Sequence, residues 1–575
     1  MAINLNSSRF LLSPVLKFPP PLLLPPKFIS SRPKIPRLGF RFRRFSCYGA
    51  AGVERSRLME GPVTVKEKID LTEKEEKIFK RLLDVLKHFE LETQLRVAGG
   101  WVRDKLLDKD CYDIDIALDN MLGREFCDKV NEYLQCAGEE QQGVAVIQSN
   151  PDQSKHLETA RMRIYDTWID FVNLRSETYV ENSRIPTMKF GTAMEDAFRR
   201  DLTINSLFYN INTNSVEDFT RRGLRDLKNG YIATPLPPKS TFLDDPLRVL
   251  RAIRFGARFA FELDEELKKA ASDEEVKTAL ADKISRERIG HEVDLMISGN
   301  HPVKAMAYIC DLQLFFTVFI LPDNPQPEVF EGCDRLCVTY MEAAWNLLRL
   351  IDPSKFRMSS DRLYFYGTLF LPLRNMVYID RKSKKIPVTS YIFKNSLKLK
   401  NSDAEMVVSL HAACERFISL IPLLEANRDS EVKFELEDEY LDISPISRMR
   451  VLAGLLLRQI KDFWRVSLLM STLIYPTDDH SYDSNGHLAP DHREIFLKVE
   501  STITELGLDK VWELKPLLDG KAIMGVLQLK TGGPLVKEWQ DRVVKWQLAH
   551  PESTAEECLD WMRESQAKRT KLDCS

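Results

Sequence analysis

The amino-acid sequence predicts an α+β protein, with strands in its first part and helices in the rest. Short apolar segments before about residue 236 alternate with glycines and acidic residues, as strands joined by turns do. From about Pro302 onward, apolar residues recur three and four positions apart, which is typical of amphipathic helices. With 575 residues and 44% hydrophobic content, the chain is long enough for roughly two to four domains.

The first informative element is a diglycine between a predicted strand and a predicted helix. Leu95–Ala98 has the composition of a buried strand, and the helix is expected from Val102 onward. Glycines at such a junction allow a ligand to come close to the backbone, and N–H groups at a helix start bind phosphate. An arginine and an aspartate on the first turn add a guanidinium fork and a carboxylate. The candidate nucleotide-binding residues here are Gly99, Gly100, Arg103 and Asp104.

The second element is a pair of carboxylates on the next predicted strand. Asp113 and Asp115 alternate with Ile114 and Ile116, so the carboxylates share one face while the isoleucines enter the core. Adjacent carboxylates repel each other unless a cation lies between them, and oxygen ligands favour Mg²⁺ held in part by substrate phosphates. A diglycine or an Asp-x-Asp alone is usually a turn or a solvated strand. The two together predict a catalytic site at which Asp113 and Asp115 bind Mg²⁺ beside a nucleotide.

Three further segments complete a pattern that is shared with a known family. They are Arg199–Leu207, Asp218–Leu227 and Asp244–Phe255. In order and spacing, the segments between about Leu91 and Glu292 resemble those of the class II polymerase β-like nucleotidyltransferases, a group that includes poly(A) polymerases. The resemblance is strongest to the eukaryotic tRNA nucleotidyltransferases, or CCA-adding enzymes. It implies a polymerase β-like nucleotidyltransferase head with a small mixed sheet, followed by all-helical neck, body and tail domains.

The resemblance also divides the chain into a leader and four domains. The head would carry the catalytic residues, the neck would select the nucleotide, and the tail would bind tRNA. The expected boundaries are 1–58 for the leader, 59–235 for the head, 236–300 for the neck, 301–500 for the body and 501–575 for the tail.

Two of the shared segments supply candidate nucleotide contacts and a candidate hinge. Arg200, Asp201 and Asn205 are predicted to lie on neighbouring turns of one helix. The resemblance assigns them contacts to triphosphate and ribose, whereas an ion pair on an ordinary helix is the structural alternative. In the next segment, a predicted strand runs into a glycine turn, which the resemblance treats as a flexible joint between head and neck. The hinge candidates are Gly223 and Asp226.

The segment after the hinge bears on nucleotide selection. Asp244-Asp245-Pro246 predicts a helix start, with an Asp cap and a proline in the first turn. The resemblance implies that Asp245 and Arg248 also pair with the Watson–Crick edge of the incoming base. An acceptor beside a donor suits C and A better than G or U. The family often has Glu-Asp where this chain has two aspartates, but the matching acid and arginine are intact. Two more candidate nucleotide-binding residues follow, Arg251 and Arg254.

Two further elements have candidate supporting roles. Asp170 lies in the strand-like Trp168–Val172 and is a candidate third metal ligand, with a role in the fold alone as an equal alternative. The helix that follows Ile284 resembles a family element that supports the nucleotide pocket. Its predicted features are a cap at Ser285 and an i, i+4 ion pair between Arg288 and Glu292.

The first fifty residues differ in composition from the rest. Before Glu54 there are nine basic residues and no acidic one, with many Ser and Pro, as in an organelle transit peptide. A basic arm that binds nucleic acid is the alternative. Met59 is a candidate second start, which would send one product to mitochondrion or plastid and another to cytoplasm and nucleus. This expectation also draws on a resemblance to plant members of the family.

Without the leader, the chain is acidic overall, with a formal charge of about −12. A tRNA-binding protein of this charge must concentrate its cations locally, because phosphates are bound by basic residues. The tail resembles the part of the family that grips tRNA, although a solvated face is the alternative. The segment Tyr378–Pro387 is predicted as a loop, and no apolar stretch reaches the ~20 residues of a membrane helix. The candidate RNA-binding residues are Lys521, Lys530 and Lys537.

The resemblance implies a specific reaction. The 3′ hydroxyl of tRNA would attack the α-phosphate of CTP or ATP, with two Mg²⁺ ions at the site and pyrophosphate as the leaving group. Protein side chains would take the place of a nucleic-acid template, so that C, C and A are added in turn. A poly(A) polymerase of the same class and a non-catalytic RNA-binding scaffold are the alternatives, and the intact carboxylate pair argues against the second. The oligomeric state cannot be inferred.

Overall fold

The computed structural model describes most of the chain after the predicted leader. The described residues are 64–147, 159–178, 187–323, 327–351, 358–426, 444–476 and 491–573. All of them belong to one compact unit, Gly61–Ser575. The predictions for the leader 1–58 and for Met59 lie outside the described residues.

A seven-stranded mixed sheet forms the centre of the first part of this unit. The strand order is β3-β4-β5-β2-β1-β8-β9, and only β2 and β5 run parallel to each other. The small mixed sheet predicted from the sequence is therefore confirmed. Its strands are β1 Leu95–Ala98, β2 Ile114–Leu118, β3 Val144–Ile147, β4 Thr159–Ile164, β5 Thr167–Asn173, β8 Phe208–Asn210 and β9 Ser215–Glu217. A separate antiparallel pair is formed by β6 Arg175–Thr178 and β7 Thr187–Phe190.

The two faces of the sheet are covered to different extents. Ile114 and Ile116 are buried in the main core together with α1 and α3, as the alternation predicted. On the opposite face, Ala117 packs in a small cluster with Ala193 and Ala197 of α4. The end of this face that precedes Ala117 carries the two candidate carboxylates. The helices of this part are α1 Glu73–His88, α2 Gly100–Leu106, α3 Gly123–Cys136, α4 Ala193–Phe198, a 3₁₀ turn Thr203–Asn205 and α5 Gly223–Asn229.

The next part is helical, and arginines of one of its helices, α7, bind residues of the sheet domain. In α7, the apolar side chains of one face are buried while four arginines recur at helical spacing. A two-stranded parallel pair is formed by one strand before this helix in the chain, β10 Tyr231–Ile232, and one after it, β11 Glu262–Leu263. The helices are α6 Pro238–Asp244, α7 Leu247–Arg258, α8 Glu265–Ala271, α9 Glu274–Lys283, α10 Arg286–Ile297, α11 Pro302–Asp311 and α12 Phe315–Val318.

Longer helices then continue the same hydrophobic core. They confirm the helical pattern predicted from about Pro302 onward. A short antiparallel pair, β12 Val377–Ile379 with β13 Lys385–Pro387, interrupts them, so the prediction of a loop over Tyr378–Pro387 was wrong. The helices are α13 Cys333–Leu350, α14 Met358–Leu369, α15 Val388–Tyr391, α16 Asn401–Ala426, α17 Pro445–Ile460, α18 Trp464–Ile474 and α19 Asp491–Glu505.

The last three helices enclose a small core of their own. Trp539 and Trp546 of α21 pack with Ile523 of α20 and with Cys558 and Met562 of α22. This cluster is separate from the main core, although α17 and α21 are in contact. The helices are α20 Gly520–Leu527, α21 Pro534–Ala549 and α22 Ala555–Asp573.

One helix satisfies the length and composition of a membrane span. Within the described residues, Asn401–Glu425 of α16 is the candidate, and half of its most apolar stretch is buried inside the protein. The sequence had predicted no apolar stretch of this length. Buried core helices pass the same test, and α16 packs against α14, α17, α18 and α19.

Candidate active site

Three carboxylates lie along neighbouring strands at the open end of the sheet. Asp115 of β2 and Asp170 of β5 are direct partners in the parallel register. Asp113 precedes β2 and lies two residues from Asp115, which places both on the same face. The structure thus brings together the two carboxylates of the Asp-x-Asp motif and the third candidate.

The charges of these groups act on each other. The pKa of Asp115 is raised from 3.8 to about 6, first by burial and then by the nearby charges of Asp113 and Asp170, against an opposing effect of Arg200 and Arg161. A raised carboxyl pKa of this origin means that the ionised group lacks a compensating positive charge. A divalent cation between Asp113 and Asp115 would supply that charge, so the donor set fits a hard metal ion such as Mg²⁺.

Asp170 is less available as a metal ligand than the other two. Arg161, its cross-strand partner on β4, donates from Nε to one carboxylate oxygen and from Nη2 to the other, the latter at 2.7 Å. Among the described residues, no three His, Cys, Asp or Glu side chains are already arranged to hold a metal ion. Asp170 would have to release Arg161 before it could bind a cation with both oxygens.

The diglycine lies beside the carboxylates on the other side of β2. The antiparallel register of β1 and β2, continued by one residue, places Ala98 opposite Asp115. Gly99 follows with a backbone φ of +67°, and its N–H donates to Leu207 O at 2.9 Å. A Cβ at Gly99 would come within 2.7 Å of Nη1 of Arg200. Glycine is therefore required both by the backbone conformation and by the approach of a guanidinium.

Arg103 and Asp104 are buried on the first turns of α2 and join it to neighbouring segments. The Arg103 guanidinium donates to Asp104 at 2.8 Å and also to the side-chain oxygen of Asn205. It lies 4.9 Å from the ring centres of both Phe255 in α7 and Phe259, which directly follows α7. These contacts position the segments of the site, and a direct phosphate contact of Arg103 stays a prediction.

The shared segment Arg199–Leu207 does not form the single helix that was predicted. The helix α4 ends at Phe198, and Asn205 lies in a separate 3₁₀ turn. Asp201 accepts hydrogen bonds from Leu202 N at 2.9 Å and from Asn205 Nδ2 at 3.0 Å. Hydrogen bonds that an aspartate side chain accepts from nearby N–H groups compete with the backbone hydrogen bonds of a helix, which explains why no single helix runs through to Asn205. Arg200 and Asp201 consequently point to different partners.

Asp196 is a residue of the site that the sequence interpretation missed. This buried carboxylate accepts two hydrogen bonds from Arg200, at 2.9 and 2.8 Å, and two from Arg199. Burial disfavours its ionised form, but the two guanidiniums outweigh burial and hold the pKa of Asp196 below its ordinary value. The available signal in the sequence was the spacing of three and four residues, which is that of side-chain pairs on a helix. Asp196 orients Arg200, whose Nη1 lies against Gly99.

Helix α7 brings the nucleotide-selection candidates to the same region. Arg248 donates to the backbone oxygen of Arg199 at 2.8 Å. Asp245 accepts from Leu247 N at 3.2 Å, and its other oxygen lies 3.5 Å from Arg288 of α10. The predicted Asp cap of α7 is therefore wrong, because Pro246 occupies the cap position and Asp245 lies one residue before it.

The remaining arginines of α7 bind acidic residues of neighbouring segments. Arg251 donates to Asp201 at 2.7 Å, and Arg254 donates to Glu292 at 2.6 Å. Burial opposes ionisation of Asp201, but the charge of Arg251 together with the hydrogen bonds from Asn205 and Arg251 outweighs burial and lowers the pKa of Asp201. The predicted ion pair between Arg288 and Glu292 is not formed, because Glu292 faces α7 instead. Ser285 does occupy the cap position of α10, without a side-chain cap hydrogen bond.

The two hinge candidates are closely packed. A Cβ at Gly223 would meet the backbone oxygen of Thr203 at 2.7 Å, and Thr203 Oγ1 donates to Asp226 at 2.8 Å. Gly223 and Asp226 therefore hold α5 in contact with the 3₁₀ turn Thr203–Asn205. Any hinge motion at this position must therefore move these two segments together.

Two groups of exposed basic residues lie in the helical part of the chain that follows the sheet domain. The predicted RNA-binding residues Lys521, Lys530 and Lys537 are all exposed in the last three helices. The turn between β12 and β13 presents four exposed cations that the sequence interpretation did not select. Asp380 accepts hydrogen bonds from two backbone N–H groups and shapes this turn. The four cations are Arg381, Lys382, Lys384 and Lys385.

The fold and the carboxylate row together define a class of protein, the nucleotidyltransferases with a poly(A) polymerase type of head. The family profile described as "Poly A polymerase head domain" matches residues 95–233 of this chain. A solved structure described as the apo form II of a CCA-adding enzyme has the same fold, with a TM-score of 0.57 and 19% identity. The matched residues make up 86% of this chain and 96% of the chain in that structure.

Relatives identify the family within this class. The mitochondrial CCA tRNA nucleotidyltransferase of Saccharomyces cerevisiae is 34% identical over 501 residues, which are 82% of this chain and 87% of that protein. The enzyme of the same name from Candida glabrata is 32% identical over 87% of this chain and 97% of its own length. The chain belongs to the CCA tRNA nucleotidyltransferase family. The resemblance inferred from the five sequence segments is confirmed.

Proposed function

We propose that this protein adds C, C and A to the 3′ end of tRNA, using CTP and ATP and releasing pyrophosphate, without a nucleic-acid template. The observation that carries the proposal is the row of Asp113, Asp115 and Asp170 on one sheet face, next to the diglycine. Membership of the CCA tRNA nucleotidyltransferase family supports the choice of substrate. A poly(A) polymerase would share the catalytic residues but not the acceptor or the product.

The carboxylates would hold the metal ions of the reaction. Asp113 and Asp115 are the proposed ligands, with Asp170 as a third, and bound Mg²⁺ would lower the barrier by neutralising charge on the phosphates. On the other side of β2, the backbone N–H of Gly100 would bind the triphosphate, and Gly99, whose own N–H donates to Leu207 O, would let the triphosphate approach because it has no Cβ. Further contacts to triphosphate and ribose are proposed for Arg103, Asp104, Arg200, Asp201 and Asn205.

The base of the incoming nucleotide would be selected by helix α7. Asp245 can accept from an exocyclic amino group and Arg248 can donate to the ring nitrogen and carbonyl of C, or to a ring nitrogen of A. G and U present a different order of donors and acceptors at this edge. The bonds of Arg248 to Arg199 O and of Asp245 to Arg288 would hold both side chains in place. Arg251 and Arg254 would support this helix through Asp201 and Glu292.

Contacts with tRNA are proposed for the exposed cations. The tail candidates Lys521, Lys530 and Lys537 are joined by the four cations of the β12–β13 turn, since both groups face solvent. They would contact phosphates and recognise helix shape rather than sequence. The affinity for tRNA must then fall as the salt concentration rises. The slope of its logarithm against the logarithm of salt concentration is proportional to the number of phosphates contacted. A tRNA affinity that does not change with salt would contradict these contacts.

The domain division and the cellular location complete the proposal. The head, neck, body and tail would have the boundaries predicted above, with Gly223 and Asp226 at the joint between head and neck. Two relatives are named as mitochondrial, which supports a mitochondrial location for the longer product. A plastid location, a shorter product from Met59 in cytoplasm and nucleus, and the likeness of the leader to that of plant members stay predictions.

A nucleotide-incorporation assay tests the proposal. The protein is incubated with a tRNA transcript that lacks its 3′ C, C and A, with Mg²⁺ and each labelled nucleotide. Use of CTP followed by a single A supports the proposal, whereas long A tracts from ATP alone would identify a poly(A) polymerase. The absence of Mg²⁺-dependent pyrophosphate release would support a non-catalytic RNA-binding protein.

Two variants test the assignment of the carboxylates. Asp113→Ala and Asp115→Ala should abolish incorporation and leave tRNA binding intact, because the cations that would bind RNA lie elsewhere. Asp128→Ala, in an exposed position of α3, is a control for the loss of one negative charge. Near-normal turnover in either aspartate variant would refute the assignment.

A further inference from the structure

An exposed tryptophan lies beside the carboxylates. Trp168 of β5 is 52% exposed, although it belongs to a strand whose alternate residues are buried. It shares a face with Asp170, two residues away. The parallel register of β2 and β5, continued by one residue from the pair Ile114 and Ile169, places Asp113 opposite Trp168. The backbone that carries this large exposed side chain thus lies one strand spacing, about 4.8 Å, from the backbone of a proposed metal ligand.

The order of the strands places Trp168 on one particular side of the reaction. The sequence across the sheet is β5, β2, β1, so the carboxylates of β2 lie between Trp168 and the diglycine that follows β1. In phosphoryl transfer, the attacking and leaving oxygens lie roughly in line on opposite sides of the phosphorus. If the triphosphate is bound at Gly99 and Gly100, pyrophosphate leaves on the β1 side. The attacking hydroxyl must then arrive from the β5 side.

We propose that Trp168 is a stacking surface for the base of the 3′-terminal RNA nucleotide, the one that supplies the attacking hydroxyl. Its indole ring would hold that nucleotide by its face, which every base possesses, so the same residue serves after each addition. Arg163, the cross-strand neighbour of Trp168 on β4, is exposed and forms a surface ion pair with Asp166 at 3.2 Å, from which it could turn to a phosphate of the RNA backbone. The inference rests on the proposed function, because it takes the RNA end as substrate.

Kinetics with a matched control test the inference. Trp168→Ala is compared with Phe330→Ala, which removes a ring of nearly the same exposure, 53%, from a distant loop. At saturating CTP, Trp168→Ala should lower kcat/KM for a tRNA transcript lacking its 3′ C, C and A by about 5- to 150-fold, as expected for one lost stacking contact. The KM for CTP should stay unchanged, Trp168→Phe should retain most of the activity, and Phe330→Ala should behave as the wild type.

A second substrate separates stacking from a structural role. The wild type should react more slowly with a transcript whose 3′-terminal residue is abasic than with the intact transcript. Trp168→Ala should react with the two transcripts at the same rate. Quenching of tryptophan fluorescence by the transcript, without nucleotide or metal, should decrease in Trp168→Phe. The inference would be overturned if the Trp168→Ala substitution and the abasic residue lowered the rate independently of each other. A raised KM for CTP in Trp168→Ala, or activity equal to that of the wild type, would also overturn it. If the wild type itself fails to add C, C and A, the proposed function fails instead.

Discussion

The raised pKa of Asp115 predicts that removing its charge stabilises the folded protein although it abolishes activity. Asp115→Asn should make the metal-free protein more stable while abolishing nucleotide transfer. The folded chain raises the pKa of Asp115 from 3.8 to about 6, chiefly through burial and then through Asp113 and Asp170. Ionised Asp115 therefore opposes folding. The shift corresponds to at most about 3 kcal/mol of unfolding free energy at neutral pH.

The pH dependence of this gain follows from the direction of the shift. Below about pH 4 the carboxyl of Asp115 is protonated in both the folded and the unfolded chain, and the substitution removes no charge. Between about pH 4 and 6 the unfolded chain loses the proton first, so the wild type loses stability as pH rises. The advantage of Asp115→Asn should therefore appear above about pH 4 and level off above about pH 6.

Urea unfolding of the full chain with a chelator present, at several pH values, measures this effect. Asp113→Asn is the matched comparison, and it should give a smaller gain because Asp113 is exposed. Addition of Mg²⁺ should stabilise the wild type and not Asp115→Asn, since a ligand that binds only the folded chain raises its stability. Equal or lower stability of Asp115→Asn at pH 7, or a difference that does not vary with pH, would refute this account of the site.

Three further predictions concern glycines and salt. Gly99→Ala should cost about 1–3 kcal/mol and impair transfer, because of the positive φ and the contact with Arg200, as urea unfolding and the incorporation assay would show. Gly290→Ala should abolish stable folding, since its Cβ would lie 1.8 Å from Leu397 O, whereas Gly525→Ala, with nothing within 4 Å, should leave the unfolding midpoint unchanged or raised. The logarithm of tRNA affinity should fall linearly with the logarithm of salt concentration in filter binding, and a flat line would exclude phosphate contacts.

Local rules were sufficient for several parts of the site. The period of two along a strand predicted that Asp113 and Asp115 share a face opposite Ile114 and Ile116, and the structure has that alternation. The strand–diglycine–helix unit and the helix after Asp245 were likewise predicted from adjacent residues. These features depend on side chains within a few positions of each other, where backbone geometry leaves few alternatives.

Other parts depended on contacts between distant segments. Glu292 pairs with Arg254, 38 residues earlier, rather than with Arg288 on its own helix. The predicted helix over Arg200 and Asn205 is broken because Asp201 binds nearby donors and an arginine of α7. In both places a local pattern offered one partner, and packing of two helices offered a better one.

The sequence by itself determined which residue types form the site, because alternation along β2, the diglycine and the five shared segments are properties of neighbouring positions. Only the tertiary structure decided how those segments face one another. The parallel register of β2 and β5 sets Asp170 and Trp168 beside the carboxylate pair, and the same sheet turns Arg161 onto Asp170. Strand order and register follow from burying a whole sheet face at once, and no short stretch of sequence contains that information.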